Sequence, residues 1–115
     1  MRPKTPKWLE DIRASCEFIQ KAVSGITFDE YMDDLQLRYS VERCFEIAGE
    51  AIGRIARFDP ETASRIGDYP RIISFRNVLV HGYDLVEHKI VWEVIKENVP
   101  VLKEQVEELL KEATN

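Results

Sequence analysis

The sequence predicts an all-α fold: an up-and-down bundle of four main helices with short helices between them. Three observations predict it. Apolar residues recur every three or four positions along most of the chain. Glycine and proline, five of each, fall almost entirely where those stretches start or stop. No segment alternates in the manner of a strand, and no internal repeat or low-complexity tract interrupts the pattern. With 115 residues, 44% of them hydrophobic, the chain is expected to form one domain spanning residues 1–115.

The elements follow in order. Thr5-Pro6 reads as an N-cap with proline at the first helical position. Trp8, Ile12, Cys16, Ile19 and Val23 then form one apolar stripe, and Gly25 ends the helix. Thr27 opens the second helix, with Glu30 three residues on completing a capping box. No breaker follows until about Arg57, so one long helix is predicted. Its stripe holds Phe28, Leu35, Val41, Phe45, Ala48, Ile52 and Ile55. Gly49, Gly53 and Ala56 form a second stripe of small residues. Glycine inside a helix costs about 1 kcal/mol against alanine. Two of them imply a close approach, either by another helix of this chain or by a second copy.

Asp59-Pro60 starts a short helix ending near Gly67, and Tyr69-Pro70 starts a fourth that runs to about His81, where Gly82 breaks it. A fifth covers roughly Glu87 to Glu97, with Ile90, Val91, Trp92 and Ile95 apolar. Asn98 and Pro100 restart the chain as a final amphipathic helix bearing Val101, Leu102, Val106, Leu109 and Leu110.

Composition excludes several functions. No run approaches the roughly 20 apolar residues of a membrane helix. The N-terminus lacks the apolar core of a signal peptide, so a cytoplasmic protein is expected, with Cys16 and Cys44 reduced. Their separation fits neither a disulfide scaffold nor a zinc site. There is no glycine-rich phosphate loop and no His/Cys/Asp cluster with metal spacing, so no cofactor and no metal is expected. The net charge of −5 argues against a broad nucleic-acid surface. Yet seven of the nine arginines lie between residues 38 and 76. Most of these read as partners of helical glutamates. Arginine is also the residue that grips phosphate with fixed, forked donors.

The fourth helix departs from the pattern. At about 100° per residue, Ile72, Phe75, Leu79 and Val80 share an apolar arc with Ile73 at its edge, and Arg76 falls inside that arc. A charge there is costly unless paired. Glu46 and Glu50 of the long helix are the candidate partners. Asn77 and His81 lie together on the opposite side. His81 alone reads as a helix C-terminal residue favoured by the dipole. Arginine, amide, imidazole and the Tyr83 phenol together form a set able to move protons and steady a phosphate. His88, the other histidine, is expected at the start of the fifth helix facing solvent, without a role.

The segment Arg76-Asn77-Val78-Leu79-Val80-His81-Gly82-Tyr83 resembles the Arg-x4-His-x-Tyr signature of HepT-type toxins, members of the HEPN superfamily of small helical domains. Glu42 to Ala51, ending in Gly-Glu-Ala, and Trp92 beyond a short acidic turn are similar to that family as well. The resemblance covers nearly the whole chain. It implies a homodimer with the motif helices facing across a two-fold axis, metal-free RNA cleavage, and a cognate minimal nucleotidyltransferase (MNT) antitoxin. In some pairs the antitoxin transfers AMP to the motif tyrosine. Carried over, Arg76 and His81 are the catalytic pair, Asn77 assists, and Tyr83 is the candidate modified residue. Arg76 and His81 are about 140° apart on one helix, so a composite site across a two-fold axis is expected.

Two other readings compete with the toxin ribonuclease. One is a non-catalytic HEPN nucleotide-binding module that is partner or substrate of a nucleotidyltransferase. The other is a plain helical interaction module in which Arg76 is a structural ion.

Overall fold

The computed structural model describes every residue except Tyr83, Leu85 and Asn115. The described residues form helices joined by short turns: α1 (Thr5–Ala22), α2 (Phe28–Asp33), α3 (Leu35–Phe58), α4 (Pro60–Ala63), α5 (Tyr69–His81), α6 (His88–Glu93) and α7 (Val99–Thr114). Four long helices pack in a row, α7 on α1, α1 on α3, and α3 on α5. The core lies along α1, between α3 on one side and α7 on the other. Leu9, Ile12, Ile19, Val41, Ile52, Ile55, Val106 and Leu109 are buried there. Burying each such side chain contributes about 1.5–3 kcal/mol, which is what holds the row together. No helix is long and apolar enough to cross a membrane.

Three local expectations are corrected. Thr5 is not an N-cap; Lys4 holds that position without a side-chain cap bond. The Thr5 hydroxyl instead donates to Asp59 Oδ2 at 2.7 Å, a buried partner that outcompetes the local backbone N–H. The second helix is not continuous to Arg57. Thr27 and Glu30 do form the capping box, but Asp34 interrupts with extended backbone, and its carboxylate accepts from Leu37 N. An aspartate gains more by capping a new helix than by sitting inside an old one. The break also leaves Leu35 half exposed, off the stripe expected for it.

The third correction is at the C-terminal end. No restart occurs at Asn98 and Pro100, because α6, a π-helical turn over Val94–Asn98, and α7 follow one another without a gap. Pro100 lacks an N–H and would clash with the Lys96 carbonyl in an α-helix; the wider turn before it relieves both problems.

At the far end of the row, α5 packs on α3 and is only shallowly seated. Leu79 is buried, while Ile72, Ile73 and Phe75 are half-buried against the core. Phe75 meets Phe45 of α3 edge to face, ring centroids 5.1 Å apart. Val78 stays 45% exposed, so one face of α5 has no cover within this chain.

Candidate active site

Two adjacent rows on α3 build the site's floor. Residues 49, 53 and 57 form one row and 50, 54 and 58 the next, each at four-residue steps, so both face the same way. Gly49 is where α5 comes closest. A methyl group at position 49 would run into Cβ and Cγ of Arg76. The glycine therefore settles its own question: it serves a contact within this chain. Gly53 does not, since a methyl there would meet nothing within 4 Å.

Seated on Gly49, Arg76 has a side chain only 25% exposed. Its Nη1 donates to Asn77 Oδ1 at 3.2 Å, and its Nη2 stands 3.8 Å from Glu50 Oε2. Glu46, the other candidate partner, is engaged by Arg43 at 3.2 Å. The Arg76 Nε is buried with no hydrogen-bond partner among the described residues. Glu50 is shared, because Arg54 Nη2 reaches its Oε1 at 3.1 Å. Arg76 is thus held loosely by its carboxylate and keeps donor capacity for another anion.

Arg76 and Asn77 form one wall of an open cleft of 930 Å³. Five cationic side chains line it: Arg2, Lys4, Arg54, Arg57 and Arg76. Glu50 is its one carboxylate among the described residues. Trp8 and Phe58 close the opposite end. Arg2 and Lys4 come from the N-terminal segment, which Asp59 pins in place. The Asp59 carboxylate accepts from Arg2 N at 3.0 Å, Thr5 Oγ1 at 2.7 Å and Thr62 N at 3.3 Å. Burial alone would raise that carboxyl, but these donors overcome it and hold it down to about 2.

His81 is not among the residues lining the cleft. It stands exposed in the last turn of α5, whose C-cap is Gly82. The chain therefore brings Arg76 and Asn77 together and leaves His81 apart. Tyr83 lies outside the described residues. His88 corrects its expectation: it is half-buried, with its Nδ1 buried and unpaired among the described residues. Its helix, α6, packs against α2. Burial raises the nearby Glu42 carboxyl despite His88 and Arg38 beside it.

Sequence reasoning missed Arg2 and Lys4 as cleft residues, and it saw Arg54 and Arg57 only as part of an arginine-rich third. The four-residue recurrence of Gly49, Gly53 and Arg57 beside Glu50, Arg54 and Phe58 carries the missing signal.

An all-α domain with an arginine-lined cleft beside an Arg-x4-His helix defines the protein as one of the HEPN type. Residues 12–109 match the Ribonuclease HepT-like family, and the chain belongs to that family. A provisionally named RNase of Caldanaerobacter subterraneus subsp. tengcongensis is 36% identical over 109 residues, covering 94% of this chain and 96% of that protein. The probable ribonuclease HepT of Thermococcus cleftensis is 31% identical over 115 residues, covering 96% of this chain and 100% of that one. No solved structure matches the chain significantly.

Proposed function

We propose that the chain is a metal-independent endoribonuclease, the toxin half of a type II toxin–antitoxin pair, acting as a homodimer with a composite Arg/His site. The observation that carries this reading is Arg76 with free donor capacity, set in a five-cation cleft on the helix that presents His81 to solvent. RNA supplies its own nucleophile, the 2′-hydroxyl. His81 serves the proton transfers at that hydroxyl and at the leaving 5′-oxygen. Arg76 steadies the charge that builds on the phosphate, with Asn77 fixing the guanidinium by accepting its Nη1–H.

On α5 the two catalytic groups lie about 7.5 Å apart along the axis and about 140° apart around it. One protomer's pair does not share a face of α5, and a second copy across a two-fold axis would bring both pairs into one composite site. The exposed Val78 and the uncovered face of α5 support that pairing. The expected partner is an MNT-type nucleotidyltransferase that silences the enzyme by placing AMP on Tyr83, adding negative charge beside the site.

The test uses purified protein, RNA and EDTA. Cleavage should leave a 2′,3′-cyclic phosphate, resist EDTA, and fall at least about 100-fold in His81→Ala and in Arg76→Ala. Light scattering should give twice the 13.4 kDa chain mass. Cleavage that persists in either variant, or that EDTA abolishes, would sink the assignment.

The Arg76–Glu50 pair favours a second reading, a non-catalytic module in which Arg76 is structural. Arg76→Ala would then lower the melting temperature, and no RNA cleavage would be seen in the unaltered protein.

A further inference from the structure

Arg76 and Asn77 account for one end of the cleft; the other end has a different chemistry. Trp8 and Phe58 lie there with ring centroids 5.9 Å apart and planes 28° from parallel. Trp8 is buried, but Phe58 is 50% exposed. The Arg57 guanidinium sits 5.1 Å from the Phe58 ring centre. An exposed ring, backed by a second ring and flanked by cations, is an arrangement that stacks a planar base while its phosphates are held. One face of the Phe58 ring packs on Trp8, and half of the side chain remains open to the cleft.

We infer that Phe58, backed by Trp8 and flanked by Arg54 and Arg57, is a base-stacking subsite for the single-stranded RNA substrate. The inference rests on the ribonuclease reading and extends it to substrate recognition. Position 58 lies nine residues beyond position 49, where Arg76 is seated, which is roughly 13 Å along α3. A stacked strand advances about 3.4 Å per nucleotide. The subsite therefore holds a base about four stacked nucleotides from the phosphate at Arg76, or about two if the strand is extended. Arg54 and Arg57 lie between as the phosphate track. The enzyme selects unpaired RNA, because a base inside a duplex cannot offer its face to the Phe58 ring.

The experiment measures binding of oligoadenylates of two and eight nucleotides to the full-length protein, with inorganic polyphosphate as a base-free polyanion. Phe58→Leu keeps an apolar side chain on Trp8 and removes the aromatic face. Phe18→Leu alters an exposed ring on α1 and serves as the control. Each variant's melting temperature and light-scattering mass are recorded alongside. The octamer should bind Phe58→Leu about 5- to 100-fold more weakly, polyphosphate equally well, and the gain in affinity from dimer to octamer should shrink. An octamer affinity unchanged in Phe58→Leu overturns the subsite. So does an equal loss for octamer and polyphosphate, or a change in oligomeric state in place of RNA affinity. If the unaltered protein cleaves no RNA but binds the octamer through Phe58, the nuclease reading fails and the subsite stands. If it cleaves RNA and Phe58→Leu binds normally, the nuclease reading stands and the subsite fails.

Discussion

Replacing Asp59 with asparagine tests how the cleft is built. Asp59 is 7% exposed, and its carboxylate joins three segments: the N-terminal Arg2 backbone, the first turn of α1 through Thr5, and the start of α4 through Thr62. Its acidity is strengthened from an ordinary 3.8 to about 2. A shift of that size corresponds to about 2–3 kcal/mol of folding stability. Because the folded pKa lies below the unfolded one, this stability is complete above about pH 4 and disappears as pH falls through about 2. Asparagine keeps one acceptor oxygen, which retains most by accepting from Arg2 N and Thr5 Oγ1, and it turns an NH2 toward the Thr62 N–H, leaving a donor facing a donor.

Urea unfolding of Asp59→Asn at pH 7 should show a loss of about 2–3 kcal/mol, with a melting temperature lower by about 10 °C. The difference from the unaltered protein should narrow steadily as pH falls from 4 through 2, because the carboxylate is progressively protonated and its advantage over a neutral group is lost. A deficit under about 0.5 kcal/mol at pH 7, or one unchanged at pH 2, would refute the reasoning.

The two helical glycines should respond oppositely. Gly49→Ala forces its methyl into Arg76 and should cost about 1–3 kcal/mol while reducing RNA cleavage. Gly53→Ala meets nothing and should raise stability by up to about 1 kcal/mol; chemical denaturation of the pair checks both signs. The cysteines should be inert in the native state. Burial pushes the Cys16 thiol up to about 12 and raises Cys44 as well, so alkylation by iodoacetamide at pH 8 should be slow until denaturant is added.

Much of this fold is legible in the sequence because helices announce their ends locally. The Thr27–Glu30 box and the α5 span from Tyr69 to His81 need only neighbouring residues to be read. The errors arise where a distant group changes a local choice. Thr5 abandons its expected cap for Asp59, 54 residues away. Asp34 reads as one more polar helix residue until its carboxylate is seen capping a new helix. At the site, the misfit of Arg76 among apolar neighbours is visible on a helical wheel, because it is a property of one helix. The cleft is not visible that way. It draws on the N-terminus, α3 and α5, and no local rule places Arg2 beside Arg54.

An acidic protein that handles RNA has to confine where the strand lands. Here the charges separate along the row of helices. The arginines gather on α3 and α5 at one end, while Glu104, Glu107, Glu108 and Glu112 lie on α7 at the other. The molecule measures 43 × 28 × 19 Å, and the Debye length at physiological salt is about 8 Å. Repulsion from α7 is therefore largely screened before it reaches the cleft. Five cations around a single carboxylate set the field inside that cleft, whatever the net charge of the chain. If the cleft is the RNA site we propose, a strand approaching α7 is turned away and one approaching α3 is drawn in, and the acidic surface favours binding at the face that bears Arg76. At low salt the screening weakens and the two ends begin to cancel. RNA affinity should therefore rise less steeply as salt is removed than five cleft cations acting alone would produce.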